Sequence, residues 1–318
     1  MTTHGQPALA SDPWITIGIT AYREGDWLAE CWASVLSQSD DRWDAVLVLD
    51  GGADQRTREV FNSLDHPKLR KFEMPSNVGP YPTRNRAFEL TKAPYHFYLD
   101  GDDQLAHDSV EKALQTFARN PDAAFVYGDY ACFGLINEVW QFPATVSAAA
   151  VIEGQPVPCG CVYKTSTWKA LGGFATELAR GNADYDFFIG ALENGFVGCH
   201  CGGIFYRYRR SDALTVSRTY GRRYHETHET MVRRHPVFFD DRRRRNRFLA
   251  LGYRRAAVAN AAAGDAKLAV RLAWKAIRHG LWRDQGLQII ILEGARPQWA
   301  YASMRSAIRF ARHLVARQ

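Results

Sequence analysis

Three carboxylates fall within four residues at Asp100-Gly101-Asp102-Asp103, directly after the apolar run Tyr95–Leu99. Such a cluster repels itself unless a cation or solvent relieves it. Hard divalent ions, Mg²⁺ or Mn²⁺, take a few carboxylates together with substrate phosphates, so the chemistry this spacing suggests is metal-assisted handling of a phosphate compound. Two other apolar runs also end in polar residues. Trp14–Ile19 is closed by Thr20-Ala21-Tyr22, and Ala45–Leu49 ends in Asp50.

The elements that position these residues follow from periodicity. From Asp26, placed to cap, Trp27, Leu28, Cys31, Trp32, Val35 and Leu36 repeat at helical spacing. The continuous run Ala45–Leu49 fits a strand covered on both faces in a parallel sheet. Helices are predicted over 57–64 and 83–90, with strands over 69–74 and 95–99. This strand–helix alternation implies right-handed crossovers and an open α/β sheet. Ligands of such sheets bind at the carboxyl ends of the strands, where Thr20, Tyr22, Asp50 and Asp100–Asp103 fall. Beyond 120 the pattern loosens into mixed strands and loops, with 184–194 helical and 196–208 strand-like. A helix pair is predicted over 247–261 and 265–279, and a last helix over 298–315 with Arg305, Arg309 and Arg312 on one face.

Charge divides the chain. Residues 219–318 hold 21 Lys+Arg against 7 Asp+Glu, whereas the whole chain has 40 against 34. A basic tail on an acidic body suggests anionic lipid, internal packing or plain solvated faces; no nucleic acid is expected. The N-terminus lacks a basic start followed by an apolar run, and no window approaches the ~18 apolar residues of a membrane span. The expected location is cytoplasmic, with peripheral contact at the inner membrane face through the basic C-terminal helices. The pairs Cys159/Cys161 and Cys199/Cys201 are tighter than usual zinc spacing and lie in strand-like stretches, where Cys packs as a small hydrophobe. A dinucleotide-binding oxidoreductase would need G-x-G-x-x-G after the first strand. Thr20–Gly25 supplies one glycine, which excludes it.

From Trp14 to about Ser217 the sequence resembles the family 2 glycosyltransferases. The residues that carry the resemblance are Ile17–Tyr22, Ser34-Val35-Leu36-Ser37-Gln38, the turn Asp50-Gly51 with Asp54 and Thr57, the segment Asn77, Gly79, Arg84, Asn85, and Leu99–Asp103. A helix ending in Gly172-Gly173-Phe174 and the segment Asn182–Asp186 continue it. Arg23 stands for the usual Asn, Leu49 and Gly52 depart from the acidic turn, and Ala183 replaces a Glu.

The resemblance implies the GT-A fold, a Rossmann-like mixed sheet flanked by helices. It would occupy 14–220, between a disordered tail at 1–13 and a basic, mainly helical region at 221–318. It implies an inverting transfer from a nucleotide-sugar donor, by family habit a UDP-sugar, to an unidentified glycan, lipid-linked or small-molecule acceptor. Thr20, Tyr22, Asp50, Arg84 and Asp100 would bind the donor nucleotide. Asp102 would hold the metal, with Asp100 and Asp103 as further candidates, and Arg209 and Arg210 would touch the diphosphate. Asp184 would be the general base, with Asp186 its rival and helix capping its non-catalytic alternative; His225 or His228 could complete the metal shell. The competing reading is a non-catalytic nucleotide-sugar-binding protein on the same fold, suggested by Ala183.

Overall fold

The computed structural model describes residues 14–178, 181–211 and 221–294. The tail at 1–13 and the expected helix at 298–315 lie outside the described residues. The chain divides into two compact units. One contains Met1–Thr145, Val157–Gly173 and Phe196–Ser211; the other contains Val146–Pro156, Phe174–Gly195 and Asp212–Gln318. The units therefore do not follow one cut near residue 220, because the segment carrying Asp184 groups with the C-terminal helices.

The first unit is built on one mixed sheet. Its strands are β1 (Ile15–Ala21), β2 (Trp43–Leu49), β3 (Leu69–Glu73), β4 (Tyr95–Asp100), β5 (Gln104–Leu105), β6 (Ala123–Gly134), β7 (Glu138–Trp140), β8 (Val162–Lys164) and β9 (Val197–Arg210). They run in the order β3-β2-β1-β4-β8-β6-β9-β5, with β7 beside β6. The pairs β3–β2, β2–β1 and β1–β4 are parallel, as the alternating first half predicts. β4–β8 and β6–β8 are antiparallel.

β2 shows why a continuous apolar run becomes a strand here. Ala45, Leu47 and Leu49 face one core with Leu28, Cys31, Trp32 and Val35 of α1 (Trp27–Leu36) and Val60 and Phe61 of α2 (Gln55–Ser63). Val46 and Val48 face the other side, against Ala87 of α3 (Pro80–Glu89) and Phe72. Period two thus buries both faces of the strand.

The sheet cannot lie flat. β4 and β5 are separated by three residues of chain but by four strand spacings, roughly 19 Å at ~4.8 Å each. The chain from Asp100 to Gln104 reaches only ~14 Å. The sheet curls, and the acidic turn joins the strands that the curl brings together.

Several expectations are refined. Asp26 does not cap α1: its backbone is itself helical, and its carboxylate takes hydrogen bonds from Arg56 at 2.5 and 2.9 Å. α3 starts three residues early, because Pro80 and Pro82 sit in the first turn, where a missing N–H goes unused. The helix α4 (Ser109–Arg119) lies where no element was predicted, and the twelve-residue β6 lies in the stretch expected as mixed strands and loops. α6 (Thr165–Leu171) ends as the Gly-Gly pattern implies, with Gly172 left-handed at φ 75°.

The second unit is helical: α5 (Ala148–Glu153), α7 (Ala183–Glu193), α8 (Tyr224–Arg234), α9 (Arg242–Ala262), α10 (Ala266–Arg278) and α11 (Gln285–Gly294). The charge run Arg242–Arg245 is the first turn of α9, capped by Asp241 accepting from the Arg244 N–H at 2.6 Å. Asp265 caps α10 just after left-handed Gly264, at the predicted turn. Alanines 256, 257, 261, 269, 273 and 276 form the seam among these helices.

Candidate active site

The site is assembled where β1, β2 and β4 end. Thr20 and Asp100 are paired in the β1–β4 register, and the Thr20 hydroxyl donates to Asp100 Oδ1 at 3.3 Å. Tyr98 lies two positions before Asp100, hence on the same face of β4, and its hydroxyl donates to the same carboxylate. Arg84 reaches across from α3 and places Nη2 at 3.1 Å from both Asp100 oxygens. Its guanidinium lies between the rings of Tyr81 and Tyr98, 4.7 and 4.6 Å from their centroids. Arg84 is only 9% exposed and its Nε has no partner.

Asp50 has a different local task. Its carboxylate accepts the N–H groups of Gly51, Val78 and Gly79 at 2.9, 2.9 and 3.0 Å, which folds the 76–79 loop over the end of β2. Gly79, at φ 86°, then launches α3 and so aims Arg84. Asp54 caps α2 through the Thr57 N–H at 2.8 Å, and the Thr57 hydroxyl accepts the Gly25 N–H at 2.8 Å. The residues that carry the resemblance in this turn are therefore scaffold for the loops around the strand ends. Tyr22 is half-buried beside them, with Arg23 over its ring at 4.7 Å.

The acidic turn draws its three carboxylates together: Asp100, Asp102 and Asp103 each offer an oxygen within 4.8 Å of the others. They differ in what they already hold. Asp100 is paired with Arg84, and Asp103, 1% exposed, accepts the Arg209 N–H at 2.7 Å. Asp102 forms no ion pair among the described residues. Burial, then the charge of Asp100, pushes Asp102 up to about 6, and burial with both neighbouring charges raises Asp103. Glu24, which accepts the Tyr22 N–H at 2.5 Å, adds a fourth carboxyl; burial first, then Asp102 and Asp100, push it to about 8. Asp102, with no ion pair among the described residues and the carboxyls of Asp100 and Asp103 beside it, completes a donor set that suits a hard divalent cation.

Arg209 is spent on the turn itself. Its Nε donates to the Asp102 carbonyl at 2.7 Å and its Nη2 to Glu30 at 2.5 Å, while Trp27 and Phe133 lie against the guanidinium. Arg210 stacks on Trp140 and Tyr208. Sequence reasoning missed Glu24, Glu30, Tyr98 and Tyr206, whose hydroxyl accepts the Asp100 N–H. Of these only Tyr98 had a signal, its two-residue spacing from Asp100.

In the second unit Asp184 is the second residue of α7, after the left-handed Asn182 that occupies the cap position. The capping alternative for Asp184 is thereby removed. Its Oδ2 accepts from Gln155 Nε2 at 2.6 Å. Asp186 is bound to Arg234 Nε and His235 Nε2, each at 3.0 Å. His228 is a core residue stacked on Phe248 at 4.3 Å, and burial pushes it down to about 3. Among the described residues the acidic turn is the metal-competent cluster, and the cysteines 159, 161, 199 and 201 are not part of one.

Known proteins share both the pattern and the architecture. An uncharacterized glycosyltransferase of Haemophilus influenzae is 32% identical over 120 residues, 37% of this chain and 48% of that protein. A chondroitin synthase of Pasteurella multocida is 33% identical over 189 residues, 58% of this chain but 19% of its relative. The chain thus spans half or less of the length of these curated relatives. Among solved structures, S. aureus TarS 1–349 in complex with UDP-GlcNAc superposes with a TM-score of 0.64 at 15% identity, covering 92% of each chain. That likeness establishes the GT-A fold. The family model described as Glycosyl transferase family 2 matches residues 16–171, just under half of the chain, and marks that segment as a family 2 glycosyltransferase domain.

Proposed function

We propose that the protein transfers a sugar from a UDP-sugar to an acceptor hydroxyl, with inversion at the sugar carbon. The observation that carries the reading is the unpaired Asp102 in a carboxylate cluster at the end of a buried parallel strand, beside Arg84, Thr20 and Asp50. The fold shared with a protein crystallised with UDP-GlcNAc supports the choice of nucleotide.

In this reading Asp102, with Asp103 and Asp100 beside it, would hold Mg²⁺ or Mn²⁺, which would supply Lewis-acid stabilisation of diphosphate charge. Asp100, fixed by Thr20, Tyr98 and Arg84, orients the nucleoside. Arg84, clamped between two tyrosine rings, presents an unspent N–H edge to anionic oxygen. Arg209 keeps the acidic turn in shape by holding the Asp102 carbonyl. Asp184 takes the proton of the acceptor hydroxyl as its oxygen attacks C1 and the C1–phosphate oxygen bond breaks. Asp186 is committed to Arg234 and His235, which favours Asp184 for the role.

Calorimetric titration of UDP with and without Mn²⁺ tests the donor site. Wild type is expected to bind tightly only with the metal, and Asp102→Asn to lose that dependence while melting as wild type does. Metal-dependent binding that survives in Asp102→Asn removes the assignment. Hydrolysis or transfer from a panel of UDP-sugars separates catalysis from mere binding.

A further inference from the structure

Lys267, Arg271, Trp274 and Arg278 recur along α10 at intervals of four, three and four, which stacks them in one stripe. All four are exposed, whereas Ala269, Leu272, Ala273 and Ala276 fill the opposite, buried face. The stripe is roughly 16 Å long at 1.5 Å per residue. Just past the helix, Trp282 is 57% exposed, with the Arg283 guanidinium 4.2 Å from its ring. Trp274 is 49% exposed. α11 runs back beside α10, bringing Gly294 against Val270, and leaves Ile289 and Leu292 exposed.

Four of the five cations here join no ion pair among the described residues: Lys275 reaches Glu229 at 3.5 Å, but Lys267, Arg271, Arg278 and Arg283 do not pair. The acids of the same stretch do not pair with these cations. Asp284 pairs with Arg254 at 2.6 Å and caps α11, whereas Glu293 has a buried carboxylate oxygen without a hydrogen-bond partner among the described residues.

We infer that this face of α10, continued by Trp282 and Arg283, seats on an anionic phospholipid surface. Indole rings settle at headgroup depth, and each cation near a negatively charged leaflet adds to the attraction. Ile289 and Leu292 favour lipid over a nucleic acid, because aliphatic side chains gain from the acyl boundary and nothing from phosphates. The surface belongs to the helical unit and uses no residue assigned to donor binding, so it stands or falls apart from the proposed transfer.

The test is co-sedimentation of the full chain with vesicles of phosphatidylcholine alone or with about one-third phosphatidylglycerol. Binding is expected only to the anionic vesicles and should weaken in high salt. Arg271→Gln with Arg278→Gln should lower the partition coefficient about 25-fold, from ~1 kcal/mol per cation. Trp274→Ala with Trp282→Ala should lower it too, and both variants should keep the wild-type melting temperature and UDP binding. Equal binding to neutral vesicles, no binding, or full retention by the Arg271/Arg278 variant overturns the inference. So does loss confined to Arg305→Gln/Arg309→Gln/Arg312→Gln, or a Trp274-dependent dimer in sedimentation velocity that binds no vesicle.

Discussion

Asp184 and Asp186 stand two positions apart, and their surroundings separate them. Asp186 is neutralised by a guanidinium and an imidazole, whereas Asp184 accepts an amide hydrogen bond. Asp184→Asn keeps the size and most of the hydrogen bonding but removes the base. It should lower kcat by ~10²–10⁴-fold with UDP affinity unchanged, measured as transfer rate beside calorimetric binding; retained turnover would move the base elsewhere. At this scale the sequence exposes what is repeated or clustered, such as Asp100–Asp103, and the strand-end positions of Thr20 and Asp50. It conceals partners made by folding. Nothing in the spacing says that Glu24 turns back toward Asp102, or that Arg209 binds a carbonyl 107 residues away.

At the scale of elements the loop after β2 shows how tightly the strand ends are built. A Cβ on Gly51 would lie 2.2–2.6 Å from the backbone of Ser76, which cannot swing aside as a side chain could. Gly51→Ala should therefore destabilise the unit by ~1–3 kcal/mol in urea titration. It should weaken UDP binding as well, since the same loop launches α3 and Arg84; an unchanged midpoint would show that the loop yields freely. The parallel half of the sheet was legible because β1, β2 and β4 are buried almost throughout on both faces, while β3, Leu69–Glu73, is its half-exposed edge. β6 was not: it mixes aromatics with Gly128 and Asp129 and carries register irregularities against β9. No clean period of two survives there.

At the scale of the whole chain, the helical unit carries its own pH dependence. Burial alone would lower the His235 pKa, but the hydrogen bonds and charges of Asp186 and Glu193 outweigh it and raise it. A raised folded-state value stabilises the fold below the ordinary histidine value of ~6.5 and is lost as pH climbs through the folded one. The wild-type melting temperature should thus contain a decline above about pH 6.5 that His235→Gln flattens; parallel curves for the two proteins would discount the network. Among the described residues no helix is long and apolar enough to cross a membrane. The curl of the sheet has a further cost in freedom. Because β4 and β5 are both hydrogen-bonded at their ends, the segment carrying the acidic residues acts as the clasp of a closed band. One extra residue spliced into that clasp would have to open a seam of the barrel-like wall or push a carboxylate out of reach of its neighbours. In the proposed reading, changes of donor preference fall around the clasp, on side chains such as Tyr81 or Tyr22, while its length stays fixed.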